Sequence, residues 1–165
     1  MNWDEYFMRM AYLASNKSKD PSTKIGAVVV KDRQVLATGY NGICRGVRDD
    51  IGSRYEPPKK YLYFEHGERN CCYAAARKGI SLEGATMYTM AYPCADCARA
   101  IIQSGITELV LHAQWEDKAV TAFKDGWGES QKVSDIMFFE AGVSIRMLEQ
   151  ELGLGTLIRE GLCNV

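Results

Sequence analysis

The chain has 165 residues, 47% of them hydrophobic, which is enough to bury a core of its own. Its 20 lysine and arginine residues nearly balance 21 aspartate and glutamate residues, which argues against a broad positive surface for polymeric nucleic acid. No stretch approaches the roughly 20 consecutive apolar residues of a membrane span, and "MNWDEYFMRM" lacks the pattern of a signal peptide. We therefore expect a single domain over residues 1–165 without a membrane partner, located in the cytoplasm, or in a host's cytoplasm if the source is viral.

The first third of the chain predicts a helix, a β-hairpin and a long loop. Apolar side chains in residues 4–15 recur at helical spacing, which indicates one buried face. "SKDPSTK" ends this helix, and a tight turn near Asp32 and Arg33 joins the β-rich segments "IGAVVVKD" and "QVLATGYN". Residues 42–65 are rich in Gly, Arg, Asp and Pro without periodicity, so we expect a loop of the long kind that is often functional.

The rest of the chain alternates between predicted helices and strands. Helices are predicted over residues 67–79, 94–105, 116–126 and 134–142, and strands over residues 85–93, 107–113 and 143–148. The last segment, "EQELGLGTLIREGLCNV", fits either a docking tail or a short helix. The alternation predicts an α/β fold with three layers, in which a mixed sheet of about five strands carries helices on both faces. The initial hairpin adds an antiparallel pair to an otherwise parallel sheet.

The spacing of the six cysteines separates one pair from the others. Cys94 and Cys97 fall in the first turn of a predicted helix, where positions i and i+3 share a face and both sulfurs can reach one ion. The helix N-terminus also favours thiolate over thiol. The C-x-x-C pattern alone would fit a redox pair or two packed cysteines equally well. We interpret the remaining four as buried or incidental thiols: Cys44, Cys71, Cys72 and Cys163.

His66 and Glu68 give the cysteine pair a chemical context. His66 adds a nitrogen ligand at the start of another predicted helix, and one His with two Cys leaves the fourth tetrahedral position of Zn²⁺ open for water. A structural zinc would instead need a fourth protein ligand, which Cys71 or Cys72 could supply. Glu68 lies two positions after His66, where a carboxylate can take a proton from water and pass it to a nitrogen leaving group. The alternative for Glu68 is a solvated side chain that stabilises the helix dipole.

The pattern H-x-E followed by P-C-x-x-C is the signature of zinc nucleobase deaminases. Together with "SKDPSTKIGAVVV", "GYNG", "EHGERN" and "GATMYTMAYPCADCARAIIQSGI", it makes the chain resemble deoxycytidylate (dCMP) deaminases, including phage forms, over roughly residues 10–112. The resemblance implies a cytidine-deaminase-like fold, one catalytic Zn²⁺ held by His66, Cys94 and Cys97, and hydrolysis of dCMP to dUMP and ammonia, which supplies dUMP for thymidylate synthesis. Two departures are Gly67, where the family usually has alanine, and Ile43-Cys44, where a Phe-Pro pair is common.

The resemblance also implies residues that bind the substrate. Asn41 in "GYNG" takes the place of an asparagine that touches the sugar in related deaminases, although a turn asparagine is the alternative. Gly39 and Gly42 would let the backbone approach a ligand closely. The 5′-phosphate needs cations, and each candidate is otherwise an exposed solubility charge: Arg45, Arg48, Arg54, Lys59 and Lys60.

Family resemblance finally implies regulation. Similar dCMP deaminases are commonly hexamers that dCTP activates and dTTP inhibits at a second nucleotide site, with Mg²⁺ accompanying the triphosphate. The candidates for this site are loop cations and the residues around the hairpin end: Lys17, Lys19, Lys24, Gly39, Tyr40, Gly42, Arg45 and Arg48. Two other functions remain open. A base deaminase of tRNA or other nucleic acid is disfavoured by the net charge of −1, and a non-catalytic zinc-stabilised binding module would not require Glu68.

Overall fold

A computed structural model of the chain describes residues 1–114 and 127–152. The helices of this part of the chain are α1 (Trp3–Ser15), α2 (Lys60–Tyr63), α3 (Gly67–Lys78), α4 (Ala95–Gln103) and α5 (Trp127–Ala141). The strands are β1 (Gly26–Lys31), β2 (Gln34–Tyr40), β3 (Gly42–Ile43), β4 (Phe64–Glu65), β5 (Thr86–Thr89), β6 (Glu108–His112) and β7 (Ser144–Leu148). Among the described residues, no helix is long and apolar enough to cross a bilayer.

Five of these strands form one mixed sheet in the order β2-β1-β5-β6-β7. β1 is antiparallel to both of its neighbours, whereas β5, β6 and β7 pair in parallel. The strand β1 therefore runs against the other four. A separate two-stranded ladder pairs β3 with β4, Gly42 opposite Glu65, directly before His66.

The two faces of the sheet bury two hydrophobic clusters. Val28 and Val30 of β1 pack with Phe7 and Met8 of α1, while Ala27 and Val29 belong to the cluster that α3, α4 and α5 cover. This alternation follows from the two-residue period of a strand. The three-layer α/β/α fold predicted from the sequence is confirmed.

The hairpin turn was predicted at the correct residues. Asp32 and Arg33 adopt φ values of 50° and 61°, the left-handed conformation that a two-residue hairpin loop requires at both central positions. The first helix is confirmed as well, and it begins with a capping box. The Asn2 side chain accepts from the Glu5 N–H at 2.8 Å, and the Glu5 carboxylate accepts from the Asn2 N–H at 2.9 Å.

The structure corrects several predicted boundaries. The predicted loop over residues 42–65 contains β3, a 3₁₀ turn at Gly52–Arg54, α2 and β4. These elements are two to four residues long, too short to show a period in the sequence. The strand predicted over residues 85–93 is only Thr86–Thr89, and the last helix begins at Trp127 instead of residue 134. The predicted helix over residues 116–126 and the tail beyond residue 152 lie outside the described residues.

Candidate metal centre and active site

The three predicted ligands lie at the N-termini of two helices. His66 is the N-cap of α3 and Cys94 is the N-cap of α4, both with extended backbones, and Cys97 follows in the first turn of α4. Neither N-cap side chain makes the usual capping hydrogen bond, so both can serve as ligands. The positive ends of both helix dipoles point at this centre and favour thiolates there.

The distances among the ligand atoms fit a tetrahedral zinc ion. His66 Nδ1 lies 3.5 Å from the Sγ atoms of both Cys94 and Cys97, and the three ligand atoms lie within 4.8 Å of one another. With Zn–N near 2.05 Å and Zn–S near 2.3 Å, tetrahedral angles place the nitrogen about 3.6 Å from each sulfur. The sequence left the ring nitrogen undecided, and in the structure Nδ1 is the nitrogen that faces both sulfurs.

A fourth protein ligand from the neighbouring cysteines is not part of this arrangement. Cys71 and Cys72 are buried in the core between the sheet and α3, and burial raises the pKa of both thiols. In the described residues, His66, Cys94 and Cys97 form the one group of three or more potential ligands. Three ligands leave a tetrahedral ion one position for water, as in catalytic zinc sites.

Glu68 lies beside the ligand cluster and is buried. Glu68 is 3% exposed, and Cys97 Sγ donates to Glu68 Oε2 at 3.5 Å. The alternative of a solvated glutamate at the helix start therefore does not fit. Burial raises the pKa of Glu68, because a buried carboxylate loses hydration. A carboxyl group placed in this way can both accept and donate a proton.

The two cysteine thiols of the cluster differ in pKa. A hydrogen bond from Cys97, aided by His66, lowers the pKa of Cys94 to about 4, and the same bond raises the pKa of Cys97. The hydrogen bond to Cys94 likewise raises the pKa of His66. A bound cation would favour thiolates on both cysteines and a neutral imidazole on His66.

Close backbone packing fixes the first turn of α3 against the end of β2. A Cβ atom on Gly39 would lie 2.2 Å from the Gly67 carbonyl oxygen and 2.4 Å from the Cys71 nitrogen, so only glycine fits at position 39. Asn70 Nδ2 donates to the Tyr40 carbonyl at 2.8 Å and joins the same two elements. The glycine at position 39, which the sequence associated with a ligand, thus packs directly against α3.

Gly67 has a similar but milder constraint. A Cβ atom there would lie 3.0 Å from the carbonyl oxygen of Ile25, a tight contact that a small shift could relieve. The glycine at this position, where the family usually has alanine, therefore lets the segment before β1 approach α3 closely.

Charged side chains hold the two ligand-bearing turns together. Arg69 forms ion pairs with Glu65, which precedes His66, and at 3.3 Å with Asp96, which lies between the two cysteine ligands. The backbone N–H of Ala95 donates to Ser130 Oγ of α5 at 2.9 Å. Arg69 thus links the start of α3 to the start of α4, and Ser130 links the start of α4 to α5.

Asn41 is buried, at 7% exposure, and its carboxamide binds the chain itself. Oδ1 accepts from the Ile25 N–H at 2.8 Å, while Nδ2 donates to the Thr23 carbonyl at 2.8 Å and to Asp20 at 3.1 Å. The side chain thus connects the end of β2 to residues 20–25.

The candidate cations differ in their partners. Lys19 pairs with Asp49 at 2.7 Å, Arg48 with Asp50 at 3.0 Å, and Arg54 donates to the carbonyl of Arg48. Lys60 differs, because it is buried and pairs with a buried Asp20. The remaining candidates form no ion pair with any residue in 1–114 or 127–152: Lys17, Lys24, Arg45 and Lys59.

Sequence reasoning missed the partners of Lys60. Asp20 is 2% exposed and accepts from Lys60 Nζ at 2.7 Å, and Ser22 Oγ accepts from the same ammonium group at 2.7 Å. Asp20 also accepts from the backbone N–H of Ser22 at 2.8 Å. This contact is an Asx turn, which the local sequence "DPST" could have indicated.

The fold and the site together define a metal-dependent hydrolase. A three-layer α/β/α domain brings one histidine and two cysteines to two adjacent helix starts, with a buried carboxyl group in contact with a ligand sulfur. Such a set combines an open zinc position with a group that can carry a proton.

Comparison with known proteins identifies the family. The profile of the cytidine and deoxycytidylate deaminase zinc-binding region matches residues 1–113. An uncharacterised deaminase of Aliivibrio fischeri is 38% identical over 150 residues, which cover 91% of this chain and 96% of that protein. Deoxycytidylate deaminase of Mus musculus is 33% identical over 152 residues, 88% of this chain and 79% of that protein. The chain belongs to the cytidine and deoxycytidylate deaminase family and is a zinc-dependent deaminase.

A solved structure shows the same fold. The dCMP deaminase of cyanophage S-TIM5, crystallised with dCMP and dUMP, superposes with a TM-score of 0.63 at 23% identity. The match covers 87% of this chain and 95% of the cyanophage chain. The family profile and the mouse relative confirm the family resemblance inferred from the sequence.

Proposed function

We propose that this chain hydrolyses dCMP to dUMP and ammonia with one Zn²⁺ held by His66 Nδ1, Cys94 Sγ and Cys97 Sγ. The observation that carries the proposal is the cluster of three ligand atoms in contact with the buried Glu68. The substrate is supported by the deoxycytidylate deaminase of mouse, which matches 88% of this chain. The product would supply dUMP for thymidylate synthesis.

Glu68 carries the protons of the proposed reaction. His66, Cys94 and Cys97 would hold the Zn²⁺, which would lower the pKa of a water molecule and so supply a nucleophile at neutral pH. Glu68 accepts the proton of the water that attacks C4 of cytosine, and passes it to N3. Glu68 then takes the proton of the hydroxyl group formed at C4 and gives it to the exocyclic amino group. The C4–N bond breaks, ammonia leaves and C4 becomes a carbonyl, so that dCMP and water become dUMP and ammonia. Burial keeps this proton away from bulk water.

We propose that Asn41 contacts the sugar and that loop cations bind the 5′-phosphate. Asn41 follows Tyr40, whose carbonyl accepts from Asn70 in the first turn of α3, so its backbone lies next to the catalytic turn. Lys59 is an exposed cation with no ion pair to a described residue, and it can therefore pair with the substrate phosphate without losing another partner.

The proposed activity is tested by comparing substrates on zinc-loaded protein. Ammonia release from dCMP should exceed that from CMP, deoxycytidine and dCTP, and zinc analysis should give about one ion per chain. Turnover of tRNA or single-stranded DNA without turnover of dCMP would contradict the proposal. Bound zinc without turnover of any cytosine compound would instead support a zinc-stabilised binding module.

We propose further that dCTP activates and dTTP inhibits the enzyme, each with Mg²⁺, in a cytoplasmic hexamer of single-domain chains spanning residues 1–165. The supporting observation is a group of exposed cations beside the hairpin end, of which Lys17 and Arg45 lack ion-pair partners among the described residues. Lys19 and Arg48 would have to exchange Asp49 and Asp50 for phosphate oxygens. Effectors act only through unequal affinity for two states, so the two nucleotides must prefer different arrangements.

Regulation is tested by initial rates at sub-saturating dCMP. Millimolar dCTP with Mg²⁺ should raise the rate, dTTP with Mg²⁺ should lower it, and the saturation curve without effector should be sigmoidal. Hyperbolic curves that neither nucleotide changes would show that the enzyme is unregulated. Light scattering in the same buffers measures the number of subunits.

A further inference from the structure

The ion pair between Lys60 and Asp20 is the most deeply buried one that the described residues form. Lys60 is 8% exposed and Asp20 is 2% exposed. Lys60 Nζ donates to both Asp20 oxygens, at 2.8 Å and 2.7 Å, and lies 5.5 Å above the ring of Phe64. Burying two charges this completely adds little net stability, because desolvation offsets their attraction. A role in fixing a geometry explains the pair better.

Three segments of the active-site side of the molecule meet at this pair. Asp20 belongs to the loop before β1, and Lys60 belongs to α2, which leads through β4 to His66. The third segment is the end of β2, since Asn41 Nδ2 donates to Asp20 Oδ2 at 3.1 Å. Asp20 therefore joins the ammonium group of Lys60 to the carboxamide of Asn41.

The network determines which atom of Asn41 remains for a ligand. Both amide hydrogens are used, one on Asp20 and the other on the Thr23 carbonyl. Oδ1 accepts one hydrogen bond, from Ile25, and a carbonyl oxygen has two lone pairs. The partners also exclude a flipped amide, because NH₂ would then face the Ile25 N–H and oxygen would face the Asp20 carboxylate. Asn41 can thus accept one more hydrogen bond but donate none.

We propose that Lys60 and Asp20 are positioning residues that hold the Asn41 carboxamide with its oxygen ready to accept a hydrogen bond from a sugar hydroxyl. The proposal rests on the proposed function, in which Asn41 contacts the sugar. Lys60 holds the Asp20 carboxylate in place, and Asp20 in turn fixes Asn41. The loss of either charge weakens the hydrogen bond to Asp20, one of the three that hold the carboxamide, so its oxygen is placed less well for the sugar hydroxyl.

The test compares Lys60→Gln, Asp20→Asn and the double variant with wild type, with Lys78→Gln at the exposed end of α3 as the charge control. Each single variant should raise KM for dCMP by about tenfold, roughly the effect of one lost hydrogen bond, with kcat changed by less than about threefold. The double variant should show about the same rise, because residues that act through one network are not additive. Lys78→Gln should match wild type.

Competition by dUMP and deoxyuridine separates positioning from direct phosphate binding. Both compounds carry the sugar, so both should bind about tenfold more weakly to each variant. If Lys60→Gln weakened dUMP alone and Asp20→Asn changed nothing, Lys60 would be a phosphate ligand and the proposal would be wrong. A double variant with the wild-type KM would also overturn the positioning role. This comparison can still be made if one of the single variants fails to fold.

Hydrogen exchange tests the positioning role without any measurement of enzyme activity. The Ile25 amide, which donates to Asn41 Oδ1, should exchange faster in Lys60→Gln and in Asp20→Asn than in wild type, while the Val29 amide in the core should not. Unchanged exchange at Ile25 contradicts the positioning role. Wild-type protein that does not turn over dCMP contradicts the proposed function instead, and the exchange result still holds.

Discussion

The metal centre and the basic loop, here residues 44–50, are built in opposite ways. Glu68 and Cys97 are almost fully buried, and α3, which carries Glu68, makes backbone contacts that tolerate no extra atom at Gly39. Every residue of the basic loop is exposed, and its charges meet in surface ion pairs such as Arg48–Asp50. Close packing allows one arrangement, whereas exposed ion pairs contribute little and exchange partners easily. Catalysis therefore suits the first region, and reversible binding of a nucleotide suits the second.

The removal of a ligand should have the largest effect. Cys97→Ala leaves two protein ligands, which do not hold zinc firmly, so the metal content should fall from about one per chain to well below it. Turnover of dCMP should fall below detection. Metal analysis of protein purified without chelator measures the first effect, and full retention of zinc would contradict the ligand assignment.

The loss of the proton carrier should have the next largest effect. Glu68→Gln keeps the shape of the side chain but cannot accept a proton, so kcat should fall by about 10²–10⁴-fold. The zinc content should stay near one per chain, since Glu68 is not a ligand in this assignment. Glu83→Gln, an exposed glutamate, is the control and should retain wild-type kcat. A Glu68→Gln enzyme with more than a tenth of the wild-type rate would exclude the proton-carrying role.

Two glycines three residues apart test the packing directly. Gly39→Ala places a Cβ atom 2.2 Å from the Gly67 oxygen, so it should lower the free energy of unfolding by about 2 kcal/mol or more. Gly42→Ala meets no atom within 4 Å and should change it by less than about 0.5 kcal/mol. Urea denaturation of the zinc-loaded proteins measures both values. Equal values would mean that the end of β2 is less tightly packed than the structure indicates.

Charge removal in the basic loop should act on regulation. Arg45→Gln and Arg48→Gln should each raise the dCTP concentration for half-maximal activation by about three- to tenfold, as expected when one charge-assisted hydrogen bond is lost. Arg77→Gln, an exposed substitution in the last turn of α3, is the matched control. Activation that is identical in all three variants would place the effector site elsewhere.

The smallest effect concerns an ion pair outside both regions, between Asp4 and Arg146. Arg146 donates two hydrogen bonds to Asp4, and with a further bond from Tyr88 it lowers the pKa of the Asp4 carboxyl. A lowered folded-state pKa stabilises the protein above the unfolded value, and this contribution is lost as the pH falls through the folded value. Arg146→Met should therefore lower the free energy of unfolding by less than about 1 kcal/mol at neutral pH, because both side chains are partly exposed.

The pH dependence of the free energy of unfolding tests the contribution of the Asp4–Arg146 ion pair. The difference between Arg146→Met and wild type should shrink as the pH falls below about 3.8, the ordinary value for an aspartate. Denaturation curves at several pH values measure it. A difference that grows on acidification would show that another group controls it.

Local features of the sequence predicted most of the fold and the centre of the site. The helix over residues 4–15 was visible from periodicity, the helix over residues 67–79 from its closing glycine, and the first strands from β-rich runs around a tight turn. The ligand pattern was equally local, since Cys94 and Cys97 lie in one helical turn and His66 and Glu68 in another. The short elements between Gly42 and Glu65 were missed because strands of only two residues leave no periodic signal in the sequence.

The sequence by itself identified the family and predicted the ligand set and the proton carrier, because each depends on residue types at fixed short spacings. Only the tertiary structure decided that Nδ1 of His66 faces the sulfurs, that Gly39 packs on α3, and that Lys60 is a buried partner of Asp20. These contacts join residues 28 to 40 positions apart in the chain. No local pattern records such a pairing, since it depends on which elements the folded sheet and helices bring together.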